Sequence, residues 1–119
     1  MKTRLLAPEV AEQLRKAVNG EVEVKLFRPR KSKLKRVEEK LDKVPQLQSW
    51  NEVYAGNVEF AIGDWRVIIF NDCNELDYID SAFAPNRLKG TFDSWSENPL
   101  RYLTTAEQTQ LELLLERAK

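Results

Sequence analysis

Residues 53–80 read VYAGNVEFAIGDWRVIIFNDCNELDYID, and their pattern decides the fold. Val58, Phe60 and Ile62 alternate with Glu59 and Ala61, the period of a strand with one buried face. Gly63-Asp64 follows. Glycine accepts the positive φ of a tight reversal, so the pair predicts a short hairpin turn. In the next run Trp65, Val67 and Ile69 share one face, while Ile68 and Phe70 share the other with Arg66. A strand apolar on both faces is expected mid-sheet and covered on both sides.

Working outward, residues 8–19 predict a helix. Pro8 suits its first turn and Gly20 its C-terminal stop. Val10, Leu14, Ala17 and Val18 form one apolar stripe, with Glu9 and Glu12 early and Arg15 and Lys16 late, as the helix dipole favours. Residues 21–27 alternate, with Val22, Val24 and Leu26 on one face of a short strand. The run RPRKSKLKR, residues 28–36, breaks that pattern. Val37, Leu41 and Val44 are then spaced for a short helix ending at Pro45, before a loop to Trp50.

After Phe70 a polar turn leads to a third strand over residues 76–83. Ala84-Pro85-Asn86 marks a turn, Gly90 a break, and residues 91–95 a final short strand. Thr104 and Glu107 have capping-box spacing ahead of a helix with Leu111, Leu114, Leu115 and Ala118 on one stripe. Leu113 points away from it. The expectation is one α+β domain over residues 1–119, with a basic arm at about residues 28–45. It has an N-terminal helix, an antiparallel meander of about four strands and a C-terminal helix packed on the sheet.

The 119 residues include 32% charged and 42% hydrophobic side chains, as in an ordinary globular domain. No apolar run reaches the ~20 residues that span a bilayer, so no membrane partner is expected. A single cysteine forms no internal disulfide, which makes the cytoplasm the default compartment. Net charge is zero, yet residues 1–49 hold 13 Lys/Arg against 7 Asp/Glu, leaving 6 against 12 in the remainder. Such polarity suits two binding surfaces of opposite sign, or halves whose fields cancel on packing.

The chain has no histidine. That removes Ser-His-Asp and Cys-His catalysis and, with one cysteine, the common zinc sites. Cys73 lies among acidic residues that disfavour a thiolate; it reads as a packed, at least half-buried residue. No catalytic residue, cofactor or resident metal is assigned. Asp72, Glu75, Asp77 and Asp80, with Asn71 and Asn74, offer oxygens of the kind hard cations prefer. Their spacing fails the EF-hand pattern, because Asp77 stands where the turn needs glycine. The bland alternative is a polar hairpin turn. Arg28, Arg30, Lys31, Lys33, Lys35 and Arg36 form a basic arm able to neutralise phosphates, but with no aromatic residue to stack on bases. Of the aromatic residues Trp50, Tyr54, Trp65, Tyr78, Trp95 and Tyr102, Trp50 and Trp95 lie outside the best strands and are expected at the surface.

Four segments, WNEVYAGNV (50–58), GDWRVIIFNDCNELDY (63–78), APNRLKG (84–90) and NPLRYLTTAEQTQLELLL (98–115), resemble a family of small uncharacterised bacterial proteins, mostly from pseudomonads. The resemblance implies a compact α+β domain and no known activity. Members often carry further cysteine after the Asp-Tyr pair, where this chain has Ile79, Asp80, Ser81 and Ala82. A shared metal or redox site is therefore not expected. Residues 28–45 look like an extension absent from the typical short member.

The leading expectation is a non-enzymatic protein-binding module, an inhibitor of the immunity or anti-defence type. Its acidic face of Asp72, Glu75, Asp77 and Asp80 meets a basic protein. The alternative is a nucleic-acid-associated protein acting through the basic arm. A divalent-metal site at the 72–80 turn is a distant third.

Overall fold

A computed structural model describes residues 4–27, 49–53, 55–73 and 75–119. Helix α1 spans Ala7–Val18. Strand β1 is Val24–Leu26, β2 Ala55–Ile62, β3 Trp65–Asp72, β4 Glu75–Phe83 and β5 Lys89–Thr91. Helix α2 is Thr105–Arg117. The expected helix over 37–44 and the basic arm lie outside the described residues.

The sheet is a fully antiparallel meander in the order β1-β2-β3-β4-β5, one strand more than expected. β3 is central. Ile62 pairs with Trp65 across the two-residue reversal, where Gly63 has φ +63°. A side chain there would press on Gln13 and Val22. Val58, Phe60 and Ile62 of β2 and Val67 and Ile69 of β3 are buried on the inner face, together with Ile79 and Ala82 of β4. Val10, Ala11, Leu14 and Ala17 of α1 and Leu111 and Leu115 of α2 close over them. Side chains of these kinds each gain about 1.5–3 kcal/mol on full burial if Val, Leu, Ile or Phe.

Tertiary bonds lock the helices in place. Gln13, buried on α1, donates through Nε2 to the Ile62 carbonyl at 2.8 Å. Arg15 donates through Nε to Glu107 of α2 at 2.9 Å and through Nη2 to the Tyr102 carbonyl at 2.6 Å. A second carboxylate, Glu12, also accepts from Arg15. At the start of α2 the capping box forms in both directions: the Glu107 N–H donates to Thr104 Oγ1 at 3.1 Å, and the Thr104 N–H donates to Glu107 Oε1 at 2.8 Å.

Several local expectations change. β3 is central as expected; among the described residues the helices pack on its inner face, and Ile68 and Phe70 of its outer face are half-buried. The strand expected over 91–95 instead begins at Lys89 and gives way to a 3-10 turn over Phe92–Ser94. Ser94 Oγ accepts from the Thr91 N–H at 2.9 Å and donates to the Thr91 carbonyl at 2.8 Å, which bends the backbone out of the ladder.

Gly90 is not a break but a strand residue, and its missing Cβ makes room for Trp95. A Cβ there would sit 2.6 Å from the indole ring. Trp95 is consequently buried, and its Nε1 donates to the Leu5 carbonyl at 3.1 Å. Trp50 is also buried, 0% exposed, in a 3-10 turn over Trp50–Glu52. Both tryptophans expected at the surface therefore belong to the core. Residues outside regular strands reach it because the turns fold back over the open edges of the helix–sheet layer.

Candidate functional site

The β3–β4 hairpin carries the acidic residues singled out in the sequence. Asp72 ends β3 and lies opposite Glu75, the first residue of β4. Both are exposed, as is Asp77. The pairing register shifts twice along β4. Ile68 faces Ser81 and Ile69 faces Ile79, so Asp80 is the extra residue of one bulge; Phe70 faces Tyr78 and Asn71 faces Leu76, so Asp77 is the extra residue of another. Bulges re-aim side chains, and here both extra residues are aspartates.

Asn98 supports the second bulge. Its Oδ1 accepts from the Ile79 N–H at 3.4 Å and from the Leu100 N–H at 3.3 Å, and its Nδ2 donates to the Asp77 carbonyl at 3.0 Å. Beside it, Asp77, Tyr78, Phe92, Glu97, Asn98 and Arg101 line a shallow depression. Phe70 and Tyr78 stack with centroids 4.9 Å apart, and Phe92 tilts against Tyr78 at 4.7 Å.

Asp72, Glu75 and Asp77 lie toward the turn end of the hairpin, Asp80 sits mid-strand at the level of Ile68 and Ile69, and the four share no pocket. Asp80 is half-buried and accepts from Ser81 Oγ at 3.2 Å. Glu75 stands near α2, where Glu112 has its pKa raised, first by burial and then by the charges of Glu116 and Glu75. Among the described residues no three acidic or thiol groups converge as a cation site. Among them, too, no Lys or Arg pairs with Asp72, Glu75, Asp77 or Asp80; the cations that do pair are Arg15, Lys25 and Arg66.

Two residues of the same stretch do something the sequence did not disclose. Asn71, a candidate neutral oxygen, is buried, and its Nδ2 donates to the carbonyls of Trp50 at 2.8 Å and Val53 at 3.0 Å. It ties the segment before β2 to β3. Cys73, expected to be packed, is exposed in the hairpin turn at φ +52°. The reversal itself puts it there, since a turn residue has no sheet face to bury. Asn74 and Tyr54 lie outside the described residues, as do Arg28, Arg30, Lys31, Lys33, Lys35 and Arg36.

On the opposite end of the outer face, Arg66 is held by Glu59, Nη2 to Oε2 at 2.8 Å. Its guanidinium lies between two rings, 4.7 Å from the Phe27 centroid and 5.1 Å from that of Phe83. No helix among the described residues is long and apolar enough to cross a membrane.

Comparison with curated proteins and with solved structures gives no match. A family model does match residues 36–117, most of the chain, from the end of the basic run to the end of α2. It takes in the whole β2–β5 meander, both acidic bulges and the capped C-terminal helix, and it leaves out α1 and β1. The chain therefore belongs to the family described as Domain of unknown function (DUF7693).

Proposed function

We propose that this protein is a non-enzymatic protein-binding module that meets a basic partner through the acidic end of its β3–β4 hairpin. The observation that carries the reading is the set of exposed carboxylates, Asp72, Glu75 and Asp77, that no cation of the described residues neutralises. They border the stacked rings of Phe70 and Tyr78 and the tilted ring of Phe92. Aromatic faces attract cations, and unpaired carboxylates steer and orient them. Lysine or arginine side chains of another protein fit both features. An inhibitor of the immunity or anti-defence type, which acts by occupying another macromolecule, is the concrete form of this role; that step rests on analogy with other small binding proteins.

The test is capture of partners from the native host lysate after nuclease treatment, with the wild-type chain and with a Glu75→Lys, Asp77→Lys variant as bait. Both positions are exposed, so the variant keeps its fold. A stoichiometric protein retained by the wild type and lost by the variant supports the role. Equal retention by both baits overturns it.

A further inference from the structure

The outer face of the sheet is ordered in a way that a merely solvated face is not. Antiparallel sheets place polar residues on a face that no helix covers, and among the described residues no helix packs on this one. Here the register sets the outer side chains in four rows across the strands. Lys25, Ala61, Arg66, Phe83 and Lys89 form the first row. Glu59, Ile68, Ser81 and Thr91 form the second, and Asn57, Phe70 and Tyr78 the third. Ala55, Asp72 and Glu75 form the fourth. Cations thus stand at one end, with Glu59 on Arg66 and Glu23 on Lys25. Half-buried Ile68, Phe70 and Tyr78 occupy the middle, and carboxylates the other end.

We propose that this face packs against the same face of a second copy, about a two-fold axis that crosses the strands at the level of Ile68 and Phe70. That axis reverses strand direction. It lays the cationic row of each copy over the acidic row of the other, with Arg66 above Asp72, and buries the apolar middle of both. An axis parallel to the strands would instead set cations on cations and carboxylates on carboxylates, so charge selects one orientation. In an isologous pair every such contact occurs twice. With strands ~4.8 Å apart and rows ~6.7 Å apart, the face presents roughly 450 Å² per copy. The total is then about 900 Å², just under the ~1,000 Å² of a stable specific interface and in the range of weak, transient ones. The dimer is accordingly concentration-dependent rather than obligate.

This pairing goes beyond the binding role proposed above and stands without it. A basic partner and the second copy compete for the Asp72 end, but the purified chain contains no partner, so the two readings fail separately.

The experiment is sedimentation velocity of the full-length chain over a concentration series, at low and high salt. A dimer fraction that rises with concentration and falls with salt is expected. Arg66→Glu and Asp72→Arg should each raise Kd by about tenfold or more, since each places like charges opposite at two symmetric points. Mixed in equal amounts, the two variants should form a heterodimer at least as tight as the wild-type dimer, because one is acidic and the other basic at both positions. Circular dichroism checks that each is folded. Should Arg66→Glu unfold, Lys89→Glu tests the same row at an exposed position. A monomer at every concentration overturns the proposal. So does a dimer that these reversals leave unchanged, or a mixture no tighter than either variant alone.

Discussion

Asn71 shows how much one polar side chain can hold. It is buried with its amide on two carbonyls of the Trp50–Val53 segment. Replacement by alanine removes the side-chain donor from both carbonyls, and lost buried hydrogen bonds are costly. Asn71→Ala should lose about 2–4 kcal/mol of stability in urea unfolding. Cys73 is the opposite case. Its φ of +52° is one that L-residues with a full side chain rarely adopt, and asparagine tolerates it better. Cys73→Asn should therefore stabilise the hairpin by about 0.5–1 kcal/mol, read as a raised Tm. Neither role follows from local sequence alone. FNDC reads as polar turn chemistry, and only the strand parity that points Asn71 inward and leaves Cys73 in the reversal separates the two.

At the scale of elements, charge and close packing decide how the pieces join. The Thr104 N–H and then the Arg15 guanidinium hold the Glu107 carboxyl below the ordinary 4.5. A carboxyl depressed by folding contributes stability that is present above its unfolded value and is lost as pH falls through its folded one. Glu107→Gln should thus lower Tm at neutral pH, with the difference from wild type shrinking below about pH 4. Glu112 has the reverse sign. Burial, then Glu116 and Glu75, raise its pKa, so its ionised form costs stability above that value. Glu112→Gln should raise Tm at neutral pH, with the gain fading in acid. Gly90→Ala drives a methyl into the buried Trp95 ring, an overpacking that costs about 1–3 kcal/mol by thermal or urea unfolding. The capping box of α2 was legible because its donors and acceptors lie three residues apart. The Arg15–Glu107 bond, spanning 92 positions, was not.

For the whole molecule, the family match and the folding unit differ in extent. The match begins at residue 36, yet α1 places Val10, Ala11 and Leu14 in the core and carries Gln13 and Arg15 to the sheet and to α2. Leu5 reaches further, through its N–H to the Lys89 carbonyl at 3.0 Å and its own carbonyl to Trp95. A fragment of residues 36–117 should accordingly fail to fold, shown by lost near-ultraviolet dichroism and a non-cooperative melt. In the full chain Leu14→Ala should cost about 2–5 kcal/mol by urea unfolding.

The sequence by itself determined the helix–sheet–helix order, the Gly63 reversal, the inner face of β2 and β3 and the cap of α2. Each of these depends on periodicity or on bonds between near neighbours, which a linear pattern records. Tertiary structure alone decided that the last strand lies at Lys89–Thr91 rather than 91–95 and that Trp50 and Trp95 are core. It also placed the two aspartates in bulges and set the outer-face residues in charged rows. Those outcomes depend on cross-strand register and on which turns fold back over the sheet, and both are settled by contacts between residues far apart in the chain.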